Sequence, residues 1–236
     1  MKIARIAIIL AVVAAALLLI AGPGTRLALW DFRTGFGLLR WATFAGLAAA
    51  ASALVMLALP RLRRGHVPML GVALVLGVGV AFVPWNNMRQ AKSVPPIHDI
   101  STDTAQPPAF VAILPLRSNA PNPTTYGGVD VARQQAQAYP DIRPYVTTDA
   151  PRLAFDRALR AAQAMGWQII ASDAASGRIE ATDTTLWFGF KDDVVIRVAA
   201  TADGSQIDVR SVSRVGKSDV GTNARRIRAY LQRLQH

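Results

Sequence analysis

His98, Asp99 and Asp103 stand within six residues of each other in the run Pro95-Pro-Ile-His98-Asp99-Ile-Ser-Thr102-Asp103. An imidazole beside two carboxylates has the donor types of a metal site or of acid–base chemistry. Open transition-metal sites want two or three histidines, or histidine with carboxylates brought from separate elements. The other histidines are His66 and the terminal His236. In an extended chain neighbouring side chains point to opposite sides, so His98 and Asp99 diverge. The expectation is that no metal is held. Asp99 and Asp103 should instead bond backbone N–H groups and arginines, fixing this segment onto the domain.

Ser218 and Asp219, taken with His98, have the residue types of a hydrolase triad, which only geometry can define. The nucleophile-elbow pattern G-x-S-x-G is not met, because Gly216-Lys-Ser218-Asp219-Val-Gly221 has one residue too many. The structural alternative is that Asp219 and Asn223 organise this turn and cap the last helix, with Ser218 helping. Gly216 and Gly221 would supply backbone freedom there.

Strand parity gathers a third set. Val194, Ile196 and Val198 alternate with Arg197, and Ile207 and Val209 alternate with Asp208, Arg210 and Arg214. Ile179 and Ala181 alternate with Arg178 and Glu180. With a side-chain period of two, one sheet face collects Glu180, Arg197, Arg210 and Arg214. Opposite charges across strands stabilise by roughly 0.2–1 kcal/mol a pair, and a solvated ladder of that kind is the favoured expectation. The alternatives are an anion pocket on the arginine forks, or a face covered by the proline-rich segment.

Residues 149–236 should position these groups as one compact α+β unit. Asp149 suits a helix cap and Pro151 a first turn; Phe155, Ala158, Leu159, Ala162 and Met165 recur at helical spacing until Gly166. Four strands follow: 167–172, 178–190 with a break near Asp183-Thr184, 194–201 after a Lys191-Asp-Asp turn, and 206–215. A helix after Asn223 carries Ile227, Tyr230, Leu231 and Leu234 on one face. Short turns demand an antiparallel meander, and both helices should lie on one sheet face. Residues 93–148 hold nine prolines, among them Pro95, Pro108, Pro121 and Pro144, and read as an extended segment that docks through pieces such as Phe110-Val-Ala-Ile-Leu.

Residues 1–92 read as a three-span membrane anchor. The runs 6–24, 41–60 and 67–85 carry no charge, and a bilayer core needs about 20 apolar residues as helix. Lys2 and Arg5 fit a signal peptide, but 18–23 is a poor cleavage match, so an uncleaved helix is expected. Lys2, Arg5, Arg61, Arg63 and Arg64 are the denser basic set. They place the N-terminus in the cytoplasm and the C-terminal domain in a periplasmic or extracytoplasmic space. The spans contain no acid, lysine or histidine, which argues against an ion path. Small residues at Ala45, Gly46, Ala49 and Ala50 form packing seams, and Gly77-Val-Gly79 lies within a span rather than in a nucleotide loop. Trp187-Phe188-Gly-Phe190 is expected in core or at a sheet edge, with lipid contact as the other reading.

The net charge of +11 is not a nucleic-acid signature. Residues 1–92 hold ten Lys and Arg against Asp31 alone, while residues 93–236 hold 16 against 14 acids. The excess flanks the spans, where it meets anionic headgroups, and the soluble part shows no basic stripe with interleaved aromatics. With no cysteine there is neither a disulfide nor a thiolate metal site.

The run 95–110 resembles the opening motif, and Arg210-Ser-Val-Ser-Arg214-Val-Gly216 through Asn223-Ala-Arg225-Arg226-Ile227 the closing motif, of a bacterial and plastid family catalogued as domain of unknown function 1499. The resemblance covers about residues 93–235. It implies membrane spans or export signals ahead of the domain and carries no activity across. The residues singled out as ligand or structural-motif candidates are His98, Asp99, Asp103, Arg197, Arg210, Arg214, Asp219, Asn223 and Arg226. The leading expectation is a non-catalytic binding module at the inner membrane. Its partners are the lipid bilayer and another envelope protein, with no cofactor and no nucleic acid, and contact runs through the Arg210/Arg214 face or the closing loop. The alternatives are a hydrolase or metal-dependent enzyme on an envelope substrate, using His98, Asp99, Asp103 or Asp219, and a lipid-handling module using the aromatic cluster.

Overall fold

The computed structural model describes residues 2–235, with side chains from Ala4 onward; His236 lies outside the described residues, as do the side chains of Lys2 and Ile3 and all of Met1. The chain divides into two compact units, Met1–Gln90 with Leu186–Gly189, and Ala91–Thr185 with Phe190–His236.

The first unit contains three helices long and apolar enough to cross a membrane: α1 (Lys2–Arg26), α2 (Phe32–Ala58) and α4 (Val67–Ser93). Each runs to 25 or 27 residues, so at 1.5 Å per residue each exceeds a ~30 Å hydrocarbon core. A four-residue helix, α3 (Pro60–Arg63), lies between α2 and α4. Asp31 caps α2 by accepting from the Thr34 N–H at 2.8 Å. The interior is built from small side chains: Ala4, Ala7, Ala11, Ala49, Ala53 and Ala73 with Met56 and Leu70. Small residues let helix backbones approach where lipid offers no hydrophobic drive for association. Where α2 and α4 pack, a Cβ on Gly77 would lie 2.5 Å from the Gly46 carbonyl and one on Gly46 2.8 Å from the Gly77 carbonyl, so both positions need glycine.

The second unit is an antiparallel sheet with helices. Among its described residues the sheet has six strands: β1 (Asp99–Ser101), β2 (Tyr145–Thr147), β3 (Gln168–Asp173), β4 (Arg178–Thr184), β5 (Lys191–Thr201) and β6 (Gly204–Ser213). The last four make the expected meander; β1 and β2 both join β6, opposite residues 210–212 and 205–207 respectively. Two more strands than expected thus come from the proline-rich segment. That segment also contains a 3-10 turn (Leu114–Arg117) and helix α5 (Gly128–Ala138). The helix occupies a proline-free window between Pro123 and Pro140 rich in Ala and Gln, so local propensity wins where the breakers are missing. Its buried Gln135 extends the sheet with a side chain, accepting from the Ser101 N–H at 3.0 Å and donating to the Ser101 carbonyl at 2.6 Å.

Helix α6 (Pro151–Ala164) and helix α7 (Thr222–Arg233) cover one sheet face. Phe155, Ala158 and Ala162 of α6 meet Ile227 and Tyr230 of α7 over Ile179, Ala181, Val194, Ile196, Ile207 and Val209. Trp167 stacks on Tyr230 with centroids 5.2 Å apart. Gly166, at φ +76°, ends α6 as expected, but the N-cap is Ala150 rather than Asp149. Asp149 instead pairs with Arg157 at 2.9 Å.

The expected turn at Lys191-Asp-Asp is strand. The reversal falls at 185–190, closed by the Thr185 N–H on the Phe190 carbonyl at 2.8 Å and the Phe190 N–H on Thr185 Oγ1 at 2.9 Å. Two adjacent aspartates look like turn chemistry in a sequence. Here Asp192 and Asp193 are strand residues held on opposite faces by arginines, Arg226 on one and Arg117 and Arg214 on the other.

Candidate functional site

The charged sheet face is assembled as parity predicts and is largely closed to solvent, with Arg197 at its 33% exposed margin. Glu180, Asp193 and Asp208 are 0% exposed and Arg210 is 3% exposed. Chain 102–124 lies over them, with Phe110 and Ile113 packed on Val195 and Val212. The solvated ladder is therefore replaced by the covered face, because a buried ion needs partners that water would otherwise provide.

Each charge has them. Arg210 Nε and Nη2 donate to Asp99 Oδ1 and Oδ2 at 2.9 and 2.7 Å, a two-point fork. Its remaining donors reach the Pro108 carbonyl at 3.1 Å and the Thr124 carbonyl at 2.6 Å. The rings of Phe110 and Tyr126 lie 5.3 and 5.5 Å from its Cζ. Asp193 receives Arg117 at 2.5 Å, Arg214 at 2.8 Å through both oxygens, and Thr182 Oγ1 at 2.7 Å. Glu180 accepts three successive backbone N–H groups, Val111, Ala112 and Ile113, at 2.9, 3.0 and 2.9 Å. Those donors precede the 3-10 turn, where backbone N–H groups lack internal acceptors and form a nest for an anion. Arg197 ties Asp103 to Asp208 at 2.9 and 2.8 Å. Asp103 also accepts from Ala105 and Gln106.

A second cluster lies on the helix side. Arg226 donates to Asp183 at 2.7 Å, to Asp192 at 2.6 Å, to Ser211 Oγ at 3.1 Å and to Asn223 Oδ1. Asn223, fully buried, receives Ser211 Oγ at 2.7 Å and donates to the His98 carbonyl at 2.9 Å and Ser213 Oγ at 3.0 Å. It is thus a cross-brace between α7 and the β1–β6 edge rather than the helix cap. The capping falls to Asp219, whose oxygens accept from Gly221 and Asn223 N–H, both at 2.7 Å.

Burial pushes the Asp99 carboxyl up, against the pull of Arg210. Burial likewise raises Asp219, against its two backbone donors. At Asp193 burial also works upward, but Arg214, Thr182 and Arg117 overcome it and hold the group below the usual carboxylate value. Burial, with the charge of Asp99 beside it, moves the Tyr126 phenol up to about 12. The Tyr126 and Tyr139 hydroxyls are buried with no hydrogen-bond partner among the described residues.

His98, Asp99 and Asp103 are sent to three places. The His98 ring lies 3.3 Å from the Lys217 carbonyl, Asp99 faces Arg210, and Asp103 faces Arg197. Among the described residues no three His, Cys, Asp or Glu side chains group as a metal would need. Ser218 Oγ accepts the Val220 N–H at 3.2 Å and lies 3.5 Å from the Pro95 carbonyl. The three triad types therefore each engage backbone. A shallow cleft of about 260 Å³ is lined by Thr102, Thr104, Gln135, Tyr139, Pro140 and Arg143. The polar groups of Gln135 and Thr102 are already bonded within the fold.

Arg117, Asp192 and Asp193 join the site without being among the candidates that residue type and spacing point to. The signal for Arg117 was an arginine inside an apolar stretch of the covering segment; the two aspartates were hidden by the turn reading.

An antiparallel α+β domain behind apolar helices, braced by buried arginine–carboxylate sets drawn from its opening and closing segments, defines the class. The chain matches the family described as protein of unknown function (DUF1499) over residues 99–234, more than half its length, and belongs to it. No curated protein and no solved structure matches it.

Proposed function

We propose that this membrane protein is a non-catalytic interaction module of the cell envelope, anchored in the inner membrane with its N-terminus in the cytoplasm and its C-terminal domain outside. One observation carries the reading. The motif residues with the strongest chemistry, Asp99, Arg210, Arg214, Asp219, Asn223 and Arg226, have their donors and acceptors engaged with each other or with backbone. Groups so engaged stabilise a fold and have little capacity left for a substrate.

The cover over the Arg210/Arg214 face favours a contact elsewhere. The partner surface we assign is the outside of that cover, where Val111, Leu114 and Leu116 are 50, 46 and 52% exposed. It would take an apolar surface of another envelope protein. The test is complementation of a deletion strain's envelope phenotype. His98→Gln and Asp219→Asn should complement, and Val111→Glu with Leu116→Glu should not. Loss of function in His98→Gln with an unchanged melting temperature would favour the enzyme reading instead. For orientation, Asp203→Cys should react with an impermeant maleimide in intact cells whose outer membrane has been opened, and Arg64→Cys only after lysis. The reverse pattern overturns the topology.

A further inference from the structure

The first compact unit includes four residues distant in sequence from the rest of it, Leu186–Gly189. Their placement on the ends of α1 and α2 is specific. Arg26, the basic residue of the last turn of α1, donates to the Leu186 carbonyl at 2.9 Å. The Trp187 indole fills the space over Gly22, where any Cβ would collide with it. Phe188 lies over Gly35, 2.9 Å from where a Cβ would stand, and its ring centroid is 5.2 Å from that of Phe36.

These contacts fix a depth. Gly22 precedes Arg26 by four residues, which is about 6 Å along a helix axis. The indole therefore lies about one turn inside the charged end of the first span, and Phe188 lies about one turn inside the start of α2. Trp30 joins them, its Nε1 donating to the Ala21 carbonyl at 3.3 Å. Tryptophan and other aromatics gather at the headgroup level of a membrane, and arginine at a helix end extends to the same level. Beside them Leu186 is 88% exposed, more than any other large apolar side chain described. A leucine so exposed has an apolar phase to enter only if lipid lies next to it.

We propose that residues 186–188 form a lipid-contacting tip, with Leu186 entering the boundary between headgroups and acyl chains beside α1 and α2. The occupant is lipid because the tip is packed on the ends of α1 and α2, two helices long and apolar enough to cross a membrane. The inference rests on the reading of α1 and α2 as membrane spans. It turns Trp187-Phe188 from sheet-edge aromatics into an interfacial element.

The chain has no native cysteine, so single labels report one site. Leu186→Cys in the full chain would carry a fluorescent label and be placed in nanodiscs of phosphatidylcholine and phosphatidylglycerol. Lipids bearing a shallow or a deep nitroxide quench from the membrane side, at the depth of the tip and of the span centre respectively, and iodide quenches from water. Leu47→Cys, on the 52% exposed side of α2, is the span reference, and Asp203→Cys in the β5–β6 turn is the water reference. The expected result is strong quenching of the 186 label by the lipid nitroxide, and several-fold less iodide quenching than at 203. Trp187→Ala in the Leu186→Cys background should reduce the lipid quenching. Iodide quenching at 186 equal to that at 203, with Leu47→Cys still quenched by lipid, overturns the tip. Failure of Leu47→Cys to be quenched by lipid overturns the span reading beneath it.

Discussion

Replacing Arg210 with methionine keeps most of the stem's volume and removes the guanidinium. The charge lost is 3% exposed and donates to Asp99 twice, to the Pro108 carbonyl and to the Thr124 carbonyl. Removing one partner of a buried ion pair costs about 3–5 kcal/mol, much of it from the unpaired groups left behind. Burial pushes the Asp99 carboxyl up and Arg210 pulls it down, so the variant removes the group that opposes burial. Taken at the lower bound the expected cost is about 3 kcal/mol, against a total domain stability of ~5–15 kcal/mol. The variant should fold, with the opening equilibrium around β6 raised on the order of 100-fold. Hydrogen exchange of the full chain in nanodiscs, read at the amides of β1 and β6, measures this. The double variant Asp99→Leu with Arg210→Met removes both charges of this pair and should recover at least half of the loss. Exchange unchanged in the single variant, or a double variant worse than the single, would refute the view that this pair is a brace.

Three further outcomes follow from the same geometry. Glu180→Gln leaves one carbonyl oxygen for the Val111, Ala112 and Ile113 N–H groups, and should cost about 2 kcal/mol, with those three amides exchanging first. Asp193 has a folded value held below the ordinary 3.8, so its stabilisation is complete above 3.8 and is lost as pH falls from there through the depressed value. Asp193→Asn should flatten that acid limb in a melting-temperature series, and an unchanged limb would count against the assignment. In the membrane unit Gly77→Leu must push α4 off the Gly46 carbonyl, and should destabilise by about 1–3 kcal/mol in detergent melts. Gly79→Leu, which meets open space, should be near neutral by the same measurement.

The spans were legible because twenty uncharged apolar residues admit few other readings in a chain with basic flanks. The meander was legible too, since period-two alternation in 194–200 and 206–215 fixes the faces before any contact is known. What escaped reading depended on partners distant in sequence. Asp192-Asp193 carries a local turn signal, overridden by Arg226 on one face and by Arg117 and Arg214 on the other. The strand 99–101 is three residues long and exists because β6 offers it an edge. Helix α5 was masked by averaging over a proline-rich window that contains a proline-free stretch. The covered face was among the open readings. Parity could name its members, but only the path of 102–124 decides whether water reaches them.

The claim at the centre of this account is that the charged motif residues brace the fold and hold no substrate or metal. Native mass spectrometry of the full chain, released gently from nanodiscs, tests it most directly. The account predicts the mass of the chain, with lipid adducts alone. A stoichiometric metal or small molecule retained by the native chain and lost in Asp99→Asn or His98→Gln would contradict it.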